Sequence, residues 1–262
     1  MEEYLIACIL GIVEGLTEFL PISSTGHLII TGDLLNFTGP KAEMFEVVIQ
    51  LGAILAVVVL YQERFRGLVS PHSDKKFSGI YGLHLLLLTS IPASIVGLLT
   101  SDLIKEYLFN PVTVVWALGI GAVAILLVES VPVRQRFYSL DDMTPLLAFG
   151  IGMFQCLALW PGFSRSAATI MGGMLLGANR QCAAEYSFIA AVPIMCAATG
   201  FDLFKGWSLL TSKDLAVLAL GFVISFISAW IAVKGFIRLL TRVTLRPFAI
   251  YRLIIAPLVL LF

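Results

Sequence analysis

The sequence predicts an all-α integral membrane protein: an inverted-topology repeat of six transmembrane helices plus two re-entrant helical hairpins. Three observations lead there. Of the 262 residues, 59% are hydrophobic and 13% charged, where a soluble domain is about one-quarter charged. Apolar runs of spanning length alternate with short polar loops. Part of the chain recurs, since Pro21, Ser24, Gly32 and Leu35 match Pro161, Ser164, Gly172 and Leu175 at equal spacing. The chain is read as one membrane domain, 1–262, with repeat one at 1–129, a linker at 130–143 and an inverted repeat two at 144–262.

In order, Tyr4 to Leu20 is apolar but carries Glu14 and Glu18, Pro21 to Thr25 interrupts it, and Leu28 to Leu35 resumes it. Each piece is short of the ~20 residues a span needs, so the pair reads as a hairpin with its tip inside the membrane. Broken helices at that depth are tolerated where they are buried in protein or line a wet cavity. Phe45–Tyr61, Leu83–Leu99 (bent at Pro92) and Val112–Val128 are spans. Between the first two lies a polar loop with Arg64, Arg66, Lys75 and Lys76, and the linker carries Arg134 and Arg136. The second half repeats the plan. Leu146–Trp160 and Ser164–Leu176 form the second broken pair, and Ala184–Gly200, Leu215–Val233 and Pro247–Phe262 are spans.

Three spans per half is an odd number. If each hairpin returns to its own side, the second half enters from the opposite face, the plan of inverted-repeat transporters. Basic residues agree. One side collects the loop and linker cations above with Arg180, Lys234, Arg238, Arg242 and Arg246; the other has Lys41, Lys105, Lys205 and Lys213. The positive-inside rule makes the first side cytoplasmic, with both termini outside. Met1-Glu2-Glu3 has no basic n-region, so no cleaved signal peptide is expected. Cys8, Cys156, Cys182 and Cys196 stand singly in apolar runs and read as small core residues, not disulfides or metal ligands.

The chemistry concentrates in two stretches. In Pro161-Gly-Phe-Ser-Arg-Ser-Ala-Ala-Thr169, a Pro-Gly break precedes Ser164 at a helix N-cap. Free N–H groups at a helix start, with Arg165, Ser166 and Thr169 beside them, suit a phosphate group. An intramembrane Arg needs an anion, and the alternative to phosphate is a salt bridge to Glu14, Glu18 or Glu185. In the first stretch Glu14 and Glu18 share a helix face, with Gly11 and Gly15 on much the same face for close helix approach. Two carboxylates either hold a divalent cation, Mg2+ or Ca2+, or supply a general base. His27 follows Ser23, Ser24, Thr25 and Gly26. Beside two glutamates it reads as catalytic, the alternative being a structural hydrogen bond. Ser24, the repeat counterpart of Ser164, is a nucleophile or a cap. Gln50 and Glu46 either face the site or join helices. Acids and imidazole in one half facing a cation in the other is the division a hydrolytic site needs.

The stretches Glu14-Gly-Leu-Thr-Glu-Phe-Leu-Pro-Ile-Ser-Ser-Thr-Gly-His27 and Pro161 to Thr169 resemble the two signature motifs of bacterial undecaprenyl-pyrophosphate phosphatases of the bacitracin-resistance type. Phe45–Gly52, Leu140–Thr144, Phe154–Trp160 and Pro247–Arg252 are similar too. The resemblance implies a multi-pass enzyme of the bacterial cytoplasmic membrane, its site open to the outer face. It would remove the terminal phosphate of undecaprenyl pyrophosphate to regenerate the carrier lipid for cell-wall synthesis. Carried over by motif position, Glu14 and Glu18 are the acidic pair, with metal expected on both. Glu18, Ser24, His27 and Arg165 are the expected catalytic set. Ser23, Thr25, Gln50, Ser164, Arg165, Ser166 and Thr169 are expected at the phosphates. The cofactor expected is a divalent cation; the partners are the prenyl pyrophosphate and membrane lipids, with a homodimer as candidate assembly and no nucleic acid. The rival classes are a carrier that flips the monophosphorylated lipid, instead of or besides hydrolysing its precursor, and an intramembrane serine hydrolase of amide bonds.

Overall fold

The computed structural model describes residues 1–70, 75–206, 210–211 and 214–261. Lys213, expected on the less basic side, lies outside them. The described residues form helices and loops. The helices are α1 (Glu2–Thr17), α2 (Ser24–Leu34), α3 (Pro40–Leu60), α4 (Gln62–Val69), α5 (Gly79–Leu103), α6 (Pro111–Val128), α7 (Pro145–Gln155), α8 (Arg165–Leu175), α9 (Arg180–Gly206), α10 (Leu215–Leu240) and α11 (Arg246–Ile255). Five of them, α3, α5, α6, α9 and α10, are long and apolar enough to cross a membrane. α5 continues through Pro92.

The last expected span departs from the prediction. Its α-helix stops at Ile255, and a 3₁₀ segment, Ala256–Leu261, follows. Pro257 explains the change, because it has no N–H to give to a carbonyl one α-turn back. Phe262 lies outside the described residues.

Two ends of the bundle are fixed by ion pairs. At one, Lys41 at the start of α3 meets Asp214 just ahead of α10, at 3.6 Å. At the other, Arg64 of α4 meets Asp141 of the linker at 2.9 Å. There too Arg180 at the head of α9 meets Glu129 at the foot of α6 at 2.6 Å, and Glu129 accepts a further bond from the Leu245 N–H ahead of α11. The linker joins this end through Phe137, whose carbonyl accepts from the Asn179 N–H at 2.9 Å.

α1 lies along α10 in the same direction: Gly11 faces Gly221, and Gly15 faces Ser225. A Cβ on Gly11 would stand 2.8 Å from the Gly221 carbonyl oxygen and one on Gly15 2.5 Å from that of Ser225, so these positions need glycine, as the sequence implied. α1 therefore starts at the Lys41–Asp214 end, and α2 returns there to hand over to α3. α7 starts next to the linker at the opposite end, and α8 returns there, where the Gly177 carbonyl accepts from the Arg136 N–H at 2.7 Å. The turns joining α1 to α2 and α7 to α8 meet inside the bundle, where the Ser166 hydroxyl donates to the Leu20 carbonyl at 2.8 Å.

Candidate active site

Both turns end in the same unusual way. Ser23 (φ 70°) and Ser164 (φ 77°) are non-glycine residues at positive φ, and each caps the helix that follows. Their hydroxyls accept from the Gly26 and Ala167 N–H groups respectively. Such a backbone costs on the order of 1–3 kcal/mol and persists only where its surroundings fix it. Each cap starts an eleven-residue helix, followed by Leu35 or Leu176 and then by a positive-φ residue, Asn36 or Gly177. This corrects the repeat register. The prolines had aligned Ser24 with Ser164, but the backbone pairs Ser23 with Ser164 and Ser24 with Arg165. The turns differ in where they place proline, so proline was a misleading anchor.

With that register, the first residue of each helix reaches one carboxylate. The Ser24 hydroxyl donates to Glu18 Oε2 at 2.6 Å, and Arg165 Nη2 donates to Glu18 Oε1 at 3.0 Å. Glu18 directly follows the last residue of α1 and keeps helical angles, φ −61° and ψ −43°, which places it at the edge of the first turn. Of the ion pairs expected as alternatives for Arg165, the structure contains the one with Glu18. Nη1 of the same guanidinium donates to the Ser187 carbonyl at 3.2 Å, and the group lies over the Phe19 ring, 5.3 Å from its centre. Its Nε is buried without a protein partner among the described residues.

A cavity of about 250 Å³ opens onto this cluster, lined by Glu18, Ser23, Ser24, Thr25, Gln50, Ser164 and Arg165 among others. Seven of the expected residues thus share one space. Gln155, the counterpart of Glu14, lines it too; it is buried and donates to the Thr89 carbonyl at 3.3 Å.

Four expected residues stand apart from that lining. Ser166 and Thr169 are fully buried. Ser166 joins the two turns through Leu20, while Thr169 bonds the Arg165 carbonyl at 2.9 Å and the Ser187 hydroxyl at 2.5 Å. Both back the Arg165 helix rather than face the cavity. His27 is the third. Its Nδ1 lies 2.7 Å from the Ser23 carbonyl, and its Nε2 lies 2.8 Å from the Tyr251 hydroxyl. A carbonyl only accepts, so Nδ1 carries the proton, and in the neutral ring Nε2 accepts from the phenol. The two rings stack at 5.5 Å. The imidazole supports the strained Ser23 turn from behind.

Glu14, the fourth, is buried one turn back on α1, with Oε2 unpartnered among the described residues. It lines a neighbouring cavity of about 500 Å³ with Glu43, Glu46 and Asp202, and this space shares Ser24, Thr25 and Gln50 with the first. Among the described residues, no three His, Cys, Asp or Glu side chains cluster as a ready metal site. The oxygen donors around Glu14 are nevertheless the kind a hard divalent cation takes. Glu185 stays at the head of α9, accepting from Gln181 at 2.9 Å. A third, apolar space of about 540 Å³ between the end of α5 and the turn after α7 shares Leu159 with the first cavity.

Arg252 ends the last of the similar stretches, and the sequence assigns it no role; the structure shows it fully buried between the two turns. Its signal was a lone cation in the apolar run of the last span.

A family model described as "Bacitracin resistance protein BacA" matches residues 7–258. A protein of Maridesulfovibrio salexigens named undecaprenyl-diphosphatase is 68% identical over 100% of this chain and 99% of its own. One of Nitratidesulfovibrio vulgaris with that name is 66% identical over the same shares, and one of Lawsonia intracellularis is 56% identical over 98% of this chain and 97% of its own. These names describe a hydrolase and lend the carrier reading no support.

Proposed function

The chain belongs to the bacitracin resistance protein BacA family, and from that premise we propose that it acts as its relatives are named, as an undecaprenyl-diphosphatase. Water and undecaprenyl pyrophosphate become undecaprenyl phosphate and inorganic phosphate. The carrier lipid is regenerated, and resistance to bacitracin follows from the same turnover. The observation that carries the site assignment is the bridge through Glu18, one carboxylate holding a hydroxyl on one side and a guanidinium on the other.

Each group has a task. Glu18 accepts the proton of the attacking oxygen, either Ser24 Oγ itself or a water bound beside it. Arg165 turns from Glu18 toward the pyrophosphate and stabilises the charge on the transferring phosphoryl group. Its buried, unpartnered Nε supports this, being a donor that a phosphate oxygen would satisfy. Ser23, Thr25, Gln50 and Ser164 supply neutral contacts around the phosphates, with the N-terminal ends of α2 and α8 aimed at them. Ser166, Thr169 and His27 hold the two turns in shape. A Mg2+ or Ca2+ ion held by Glu14 and Glu18 would neutralise pyrophosphate charge. What supports the ion is the donor chemistry: an orphaned Glu14 oxygen in an oxygen-lined space.

The prenyl tail occupies the apolar groove of Val96, Leu103, Tyr107, Leu157 and Trp160, which meets the phosphate cavity at Leu159. The chain crosses the membrane six times with two re-entrant hairpins, α1–α2 and α7–α8, entering from opposite faces as the two halves of an inverted repeat. The ion-paired ends and the parallel course of α1 and α10 support that arrangement. α11 with its 3₁₀ extension rises about 27 Å, near the ~30 Å of a bilayer core. The Arg-rich end is cytoplasmic, so the termini and the mouth of the site are outside.

The test is phosphate release from undecaprenyl pyrophosphate by the purified protein in detergent, with and without a chelator. Release should stop on chelation and with Glu18→Gln or Arg165→Ala. Release that survives the chelator removes the ion from the reading, and undiminished release by Ser24→Ala makes water the nucleophile. No release from folded protein under any divalent metal overturns the assignment.

A further inference from the structure

Arg252 spans the gap between the two turns. It sits on α11, far in sequence from both motifs, and is 0% exposed. Its guanidinium donates only to backbone carbonyls. Nη1 reaches Phe163 at 2.9 Å and Pro21 at 3.5 Å. Nη2 reaches Gly162 at 3.1 Å and Ala117 at 3.0 Å, and Nε reaches Leu118 at 3.2 Å. Three of these carbonyls belong to the turns and two to α6. The acceptor in the first turn lies two residues ahead of Ser23, and the nearest in the second lies one ahead of Ser164. The two α6 carbonyls sit inside a helix, whereas the three in the turns lie ahead of the N-caps, where no helical N–H reaches them, so the planar fork that joins them defines where the turns stand relative to each other.

We propose that Arg252 is a positioning residue for the hydrolysis, setting the separation at which Ser24 of one turn and Arg165 of the other share Glu18. A fixed fork of donors suits this task better than a point charge on a flexible stem. The guanidinium itself makes no contact with the cavity that holds Glu18, so its effect passes through the backbone of the turns. The neighbouring residue on α11 adds to the device, because Tyr251 holds His27 against the Ser23 carbonyl. One turn of α11 thus braces both hairpin tips. Small displacements matter there, since about 1 Å of misplacement at a reacting centre costs on the order of a hundredfold in rate.

This rests on the proposed site between the tips, so the experiment carries its own control. Phosphate release would be measured for Arg252→Lys and for Gly121→Ala, alongside Glu18→Gln and Arg165→Ala. Gly121 lies directly under the guanidinium, and a Cβ there would overlap Nη2 unless the fork moved. The substitution therefore displaces the fork without removing it. Rates would be divided by the folded fraction, taken from the melting transition in detergent. Both variants should lose at least tenfold in kcat with KM within twofold of the parent. Normal kcat in both, or losses that vanish after the correction for folded fraction, overturn the proposal. If Glu18→Gln and Arg165→Ala also keep their rates, the site between the tips is what fails.

Discussion

Glu18 is the residue on which the local chemistry turns. Its two oxygens are taken by the Ser24 hydroxyl and the Arg165 guanidinium, which in the proposed reaction have opposite tasks, one to be activated and the other to receive the phosphoryl charge. Lysine could keep the ion pair with Glu18 but could not also reach Ser187 and a phosphate oxygen through a planar fork. Arg165→Lys should therefore stay folded and lose roughly a hundredfold in kcat, the size of one transition-state donor, as phosphate release under saturating lipid would show. The Arg, both glutamates and the Ser24 hydroxyl were legible in the sequence because ionisable and polar groups in apolar runs are conspicuous. The direction of His27 was not. Its ring is turned away by a partner on α11 more than two hundred residues later, Tyr251, and no local pattern encodes that contact. Ser166 and Thr169 were legible as hydroxyls at a helix start, but their partners, the Leu20 carbonyl and the Ser187 hydroxyl, come from other elements and leave no local trace in the sequence.

In the proposed reading the elements around these residues divide the substrate between them. The turns offer polar atoms, and the groove between α5 and the 3₁₀ segment Cys156–Leu159 offers apolar ones. Leu159 borders both spaces. A bulkier side chain there should obstruct the tail where it leaves the phosphates. Leu159→Trp is expected to raise KM severalfold for the long-chain pyrophosphate and to leave a short prenyl pyrophosphate nearly unaffected, a comparison that parallel kinetics in one detergent can make. The broken helices were readable in the sequence, since Pro21 and Pro161 interrupt runs too short to span. The end of α11 was harder. Pro257 sits in a uniformly apolar tail, and hydrophobicity alone does not distinguish an α-helix from the 3₁₀ turn that replaces it there.

At the scale of the molecule, the two halves are tied by contacts far from the site. Glu129 joins α6, α9 and the start of α11 through Arg180 and the Leu245 N–H. Burial alone would raise its carboxyl, but the bonds from Arg180 and Leu245 prevail and hold it below the ordinary value of about 4.5. A carboxylate lowered on folding contributes stability that is complete above its unfolded value and is lost as pH falls through the folded one. The melting temperature in detergent should accordingly be level near neutrality and decline below about pH 4.5, and Glu129→Gln should remove that part of the decline. The general plan was visible in the sequence as a repeated pattern of runs and loops. The tie was not, because Glu129, Arg180 and Leu245 lie at the ends of three separate helices and only the fold brings them together.

One feature of the fold reaches beyond the protein. In the proposed topology the turn carrying Glu18 hangs from one face of the membrane and the turn carrying Arg165 from the other. Their spacing along the bilayer normal is then a sum of two insertion depths, and Arg252 is the gauge that keeps that sum constant. A lipid too thin or too thick for the helices would press on both faces at once, at a cost of fractions of a kcal/mol per Å, and the strain would converge on the gap between the tips. Catalytic rate would thereby become a reading of membrane thickness, highest in the bilayer whose hydrocarbon depth lets the two tips meet without force.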